Sequence, residues 1–156
     1  TLDAAGSRAL ANAHKKLLLE ARKVPLGTEK ARCYGLDMQP LSKIIISGQQ
    51  GRVRIPDQDV PYIAAHTHPS GLTFSPSDIR RFALRENMRM LTAVSNDGTV
   101  YEKTAQFDRS GLLALFRDSE IRLAAAKDPK ELQEIMQQLL KEAKQYGANF
   151  YAGRDR

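Results

Sequence analysis

Two histidines separated by a single residue, with an aspartate ten residues after the second, constrain this chain more than any other feature. They are His66 and His68 in the segment AAHTHPSGLTFSPSDIRRF, and the aspartate is Asp78. Because alternate residues of a strand point to the same face, histidines at i and i+2 at a strand end can bind one metal ion. Three protein ligands leave a tetrahedral zinc with one open position, which a catalytic site fills with water. The segment therefore predicts a zinc site at His66, His68 and Asp78.

Each of these residues also has an ordinary structural explanation. His66 fits a core histidine at a strand end, His68 fits a loop position before proline, and Asp78 fits a helix cap in a Ser-x-x-Asp pattern. A polar His-x-His at the end of an apolar strand has no packing rationale, however, and a first-turn aspartate can both cap a helix and face a metal. The combination therefore favours a metal site over three separate structural roles.

Hydrophobic periodicity and turn signals predict an α/β chain. The predicted helices cover 3–23, 75–86, 110–126 and 129–146, and the predicted strands cover 31–38, 41–47, 61–66, 88–95 and 99–104. Residues 148–156 are predicted to be a frayed tail. Since no repeat or linker interrupts the pattern, we expect one domain over 1–156, with a mixed sheet flanked by helices. Its core would span about 1–107, and the C-terminal third, about 109–147, would be helical.

Composition excludes several classes of protein. The single cysteine, Cys33, rules out an internal disulfide and a cysteine-rich zinc finger. The net charge of +6 would suit nucleic acid, but the basic residues are scattered, so a solubilising surface is favoured. Neither a membrane-spanning run nor a signal peptide is visible, which predicts a cytoplasmic or virion-associated protein. Because the sequence starts at Thr1, we expect an excised domain or a processed product of a longer protein.

The sequence HTHP at 66–69 followed by SPSD at 75–78 resembles the motif of the JAMM metalloproteases, also known as the JAB or MPN domain family. That motif is a Glu upstream, then H-x-H-P, then S-x-x-D. The HTHPSG segment is also similar to RadC-type bacterial members and to JAB-like domains of phage head or tail proteins and of polymorphic toxins. The order of predicted elements extends the likeness over residues 1–104. The family usually has ten residues between the second His and the Asp, whereas this chain has nine.

The resemblance implies a JAMM-like, or cytidine-deaminase-like, fold and an activity. His66, His68 and Asp78 would bind Zn²⁺, and Ser75 would hydrogen-bond the developing oxyanion. The chain would be a zinc-dependent peptidase or isopeptidase that hydrolyses an amide bond of a protein or peptide, such as a ubiquitin-like tail.

The family pattern also requires a glutamate at the start of an early strand, acting as general base through a water. Glu29 is the first candidate, since it precedes the predicted strand 31–38. Glu20, within the first helix, is the second candidate.

Two other classes of function stay open. One is a non-catalytic JAB-like structural or assembly domain of a phage, and the other is a toxin or effector domain that acts on a host protein or nucleic acid. Zinc content separates the first from an enzyme, and a DNA-binding assay tests the nucleic-acid branch. A nucleophilic role is disfavoured for Cys33, which lies in a predicted strand without a nearby histidine. His14, on the first helix, is predicted to be a surface or packing residue.

Overall fold

The described part of the chain forms a six-stranded sheet with helices packed against it. The structure is a computed structural model, and it describes residues 2–23, 29–46, 54–68, 74–95, 100–105 and 108–152. The helices are α1 (Ala4–Ala21), α2 (Pro76–Leu84), α3 (Arg109–Ala124) and α4 (Pro129–Glu142), and the strands are β1 (Lys30–Gly35), β2 (Ile45–Ile46), β3 (Tyr62–His68), β4 (Met88–Ser95), β5 (Val100–Ala105) and β6 (Ala148–Ala152). None of these helices combines the length and apolar character that a membrane crossing requires.

The strand order is β2-β1-β3-β4-β5-β6. The central strands β3 and β4 run parallel, and every other neighbouring pair is antiparallel. A parallel pair needs a crossover connection, which α2 supplies between β3 and β4. The predicted α/β class with a mixed sheet flanked by helices is therefore confirmed.

Alternation along β3 divides the core between the two faces of the sheet. Tyr62 and Ala64 belong to a buried cluster that includes apolar side chains of α2, α3 and α4. Ile63 and Ala65 pack with α1 on the opposite face. Because side chains of a strand alternate, His66 belongs to the face that α2 covers.

Two predicted elements differ from those observed. Of the predicted strand 41–47, which the structure describes up to residue 46, Ile45–Ile46 forms a strand, because the described β2–β1 pairing extends over two residue pairs. The tail, predicted to be frayed, instead forms β6, which pairs with β5 over five residues. Gly147 adopts a left-handed conformation (φ 81°), which ends the preceding 3₁₀ turn (Ala143–Tyr146) and redirects the chain into β6. The C-terminal third is therefore helical only up to this turn. The sequence also predicts turns at 48–51 and 96–98, and both lie outside the described residues.

Candidate metal centre

His66 lies near the carboxyl end of β3, in the middle of the sheet. Its neighbours across the sheet are Ala31 on β1 and Ala93 on β4, and both carry small side chains. The histidine side chain is 1% exposed. An imidazole is thus buried between two alanines, on the face of the sheet that α2 covers.

The start of α2 brings Asp78 to this histidine. Ser75 is the N-cap, and its Oγ accepts a hydrogen bond from the Asp78 backbone N–H at 3.2 Å. Asp78 Oδ2 in turn accepts from the Ser75 N–H at 2.9 Å, which completes a capping box. Phe74 and Ile79 flank the cap and are both buried in the core cluster, as in a hydrophobic staple. The Ser-x-x-Asp sequence therefore fixes the carboxylate by local hydrogen bonds.

The two side chains face each other at a separation that suits a shared ion. His66 Nε2 and Asp78 Oδ2 are 3.4 Å apart. Two ligands of a tetrahedral zinc, each about 2.1 Å from the ion, lie about 3.4 Å from each other. Imidazole nitrogen and carboxylate oxygen are also ordinary zinc donors. The donor types and their separation both fit zinc.

The electrostatics around His66 are dominated by carboxylates. Burial by itself would lower the pKa of the imidazole, but the negative charges of Asp78 and Glu29 outweigh burial and the repulsion from Arg81, so that the pKa of His66 is raised. The carboxylates around His66 therefore favour a positive charge on its imidazole.

Glu29 is placed beside the same face of the sheet. It is buried, with 5% of its surface exposed, and its charge acts on His66. The next residue, Lys30, donates its backbone N–H to Thr67 Oγ1 at 2.9 Å, which ties the start of β1 to β3. Because the Lys30 ammonium reaches Glu20 on α1, alternation directs Glu29 to the opposite face, where His66 lies.

Glu20, the second candidate for the general base, is in a different environment. It lies on α1, where its carboxylate contacts the ammonium groups of Lys23 at 3.1 Å and Lys30 at 3.5 Å. The hydrogen bond and charge of Lys23 lower the pKa of Glu20. Since α1 packs on the face of the sheet opposite to His66, this carboxylate belongs to the surface of the α1 layer.

The third predicted ligand, His68, is the last residue of β3, paired with Ser95. Its side chain lies outside the described residues, as does the loop 69–73. Among the side chains that are described, no group of three His, Cys, Asp or Glu side chains is arranged to hold a metal. His66 and Asp78 are thus the two predicted ligands whose contacts are described, and the role of His68 stays a prediction.

Loss of the Ser75 hydroxyl is expected to destabilise the fold. Ser75→Ala removes the acceptor of the Asp78 N–H, and loss of an N-cap side chain typically costs about 1 kcal/mol of unfolding free energy. Chemical denaturation of the metal-free protein measures this change. Ser77→Ala, an exposed position in the same helical turn, is the matched control and should leave the unfolding free energy nearly unchanged. An equal effect of the two substitutions would contradict the capping role.

The sequence pattern did not identify one residue near this centre. Arg81 lies one turn beyond Asp78 on α2, and its Nη1 is 3.9 Å from Asp78 Oδ1. The i, i+3 spacing of Asp78 and Arg81 on a predicted helix is the signal that could have identified it. His14, predicted to be a surface or packing residue, is a buried residue of α1, with Nε2 2.7 Å from Thr92 Oγ1, so it belongs to the other face of the sheet.

Comparison of this chain with protein-family models, with curated proteins and with solved structures finds no match.

Proposed function

We propose that this chain is a JAMM-type zinc metallopeptidase that hydrolyses a peptide or isopeptide bond. The observation that carries the proposal is the pair of buried donors, His66 Nε2 and Asp78 Oδ2, held 3.4 Å apart beside a second buried carboxylate, Glu29. A histidine–carboxylate pair and an adjacent glutamate are the groups that metal-assisted amide hydrolysis needs. We propose in addition that the mixed sheet and its helices have the JAMM-type fold.

His66, His68 and Asp78 would hold the ion. When bound, zinc would polarise the scissile carbonyl and activate a water toward attack. Asp78 is oriented for this role before any ion binds, because its hydrogen bond to the Ser75 N–H restrains the carboxylate. The parallel pairing of β3 with β4 restrains the histidine strand in the same way.

Glu29 would move the proton. Its carboxylate accepts a proton from the attacking water and then delivers it to the nitrogen of the leaving amine, so that the C–N bond breaks as the amine becomes neutral. Glu29 is buried, so its carboxylate is shielded from bulk water. The bond between Lys30 N–H and Thr67 Oγ1 holds the adjoining backbone in place during the transfer.

Ser75 would stabilise the oxyanion. Its Oγ accepts from the Asp78 N–H, which leaves the hydroxyl proton available to be donated. A hydroxyl donor beside the metal ligands adds to the stabilisation of the negative charge that develops on the carbonyl oxygen.

The proposal is tested by metal analysis combined with hydrolysis assays. The purified protein should carry about one equivalent of zinc, the number that a single three-ligand site holds. Cleavage of unstructured protein chains or of isopeptide-linked ubiquitin-like dimers should cease after chelation and return when zinc is added. Cleavage that persists without metal would refute the zinc mechanism. Bound zinc without cleavage of either substrate class would instead favour a non-catalytic JAB-like domain.

A further inference from the structure

Arg81 presents a buried polar group next to the candidate metal centre. Its Nη1 atom is inaccessible to solvent and, in the part of the chain that the structure describes, has no hydrogen-bond partner. The side chain as a whole is 22% exposed, so the guanidinium reaches inward from the surface of α2. Buried donors are almost always hydrogen-bonded, and a buried charged donor without an acceptor is destabilising. This position therefore calls for a functional explanation.

The two oxygens of Asp78 have different surroundings. Oδ2 accepts from the Ser75 N–H and faces His66 Nε2. Oδ1 points to the other side, where Arg81 Nη1 lies 3.9 Å away. A displacement of about 1 Å would bring these two atoms to hydrogen-bond distance. The carboxylate is thus bracketed by a backbone N–H, an imidazole and a guanidinium.

We propose that Arg81 is a positioning residue, whose guanidinium holds Asp78 Oδ1 so that Oδ2 is presented to the metal together with His66. The inference rests on the proposed function, since it assigns a role in the same zinc site. Groups that hydrogen-bond a metal ligand typically change metal affinity by about 10- to 100-fold when they are removed.

A simple charge effect would have the opposite sign. A cation close to a zinc ion repels it, so an arginine that contributed only charge would weaken metal binding, and its removal would tighten it. A positioning arginine, in contrast, must supply directed N–H groups in a planar fork, which lysine does not reproduce. The direction of the change in zinc affinity therefore separates the two roles.

The experiment compares zinc affinity, measured by competition with a chromophoric chelator, for the wild type, Arg81→Gln, Arg81→Lys and the control Arg80→Gln. Arg80 is the exposed neighbour on the same helix. We expect Arg81→Gln and Arg81→Lys each to bind zinc about 10- to 100-fold more weakly, and Arg80→Gln to match the wild type. The visible absorption spectrum of the cobalt-substituted protein should change for both Arg81 variants, because it reports ligand geometry.

Thermal melts establish that each variant is folded at the temperature of the titration. If Arg81→Gln does not fold, the zinc affinity of Arg81→Lys alone tests the inference. Unchanged or tighter zinc binding by Arg81→Gln would overturn the inference, as would full recovery of wild-type affinity in Arg81→Lys. If the wild type binds zinc and the Arg81 variants match it, this inference alone fails. If the wild type binds no zinc, the proposed function fails as well.

Discussion

Replacing both His66 and His68 with alanine is expected to reduce bound zinc from about one equivalent to a trace, since two of the three proposed protein ligands are lost. Asp78 would remain, but a single carboxylate does not hold zinc against solvent. The single variant His68→Ala should already lose most of the metal. Elemental analysis of the purified variants, after dialysis against metal-free buffer, measures the outcome.

His14→Ala is the matched control for this experiment. His14 is also a buried imidazole, but it lies on α1 and contacts Thr92 on the opposite face of the sheet. The His14→Ala variant should keep about one equivalent of zinc, while its free energy of unfolding falls because the contact with Thr92 is lost. Stoichiometric zinc in the double variant would show that the metal is held elsewhere. An equal loss of zinc in His14→Ala would show that substitution of any buried histidine disrupts the fold.

Glu29→Gln is expected to retain zinc and to lose hydrolysis by about a hundredfold or more, the typical contribution of a general base. The amide is nearly the same size as the carboxylate but cannot accept the proton from water. The turnover number, measured on whichever substrate class the wild type cleaves, should fall, while zinc content stays near the wild-type value.

Glu20→Gln serves as the control for Glu29→Gln, because Glu20 is held by Lys23 and Lys30 on the α1 side of the sheet. Its turnover should equal that of the wild type. The reverse result, with activity lost in Glu20→Gln and retained in Glu29→Gln, would reassign the proton transfer. Activity in both variants would rule out either glutamate as the base.

The parts of the structure that follow from local interactions could be predicted from the sequence. The start of α2 is an example, since Ser75 and Asp78 form the capping box that their spacing indicates. The strand 88–95 was also predicted with the observed bounds, because its apolar run ends at a turn signal. The burial of Glu29 near His66 depends on β1–β3 register, which no short segment encodes, and its role as general base stays a prediction.

The parts that depend on distant pairing could not be predicted. Strand β6 has five residues and follows a helix, so its local pattern resembles a tail. It becomes a strand only because β5 offers an unpaired edge. The contact between Arg81 and Asp78 was missed although it is local, since their i, i+3 spacing on a predicted helix indicates it.

Asp78 caps α2 and is also a proposed metal ligand. These two roles have a consequence for how such a domain diverges over evolutionary time. Selection for a stable helix preserves the aspartate through its bonds with Ser75 even in a lineage that has abandoned catalysis. The two hydrogen bonds of the capping box involve only Ser75 and Asp78. Among descendants of a chain like this one, retention of the Ser-x-x-Asp segment would therefore track stability, and retention of the histidine pair would track chemistry.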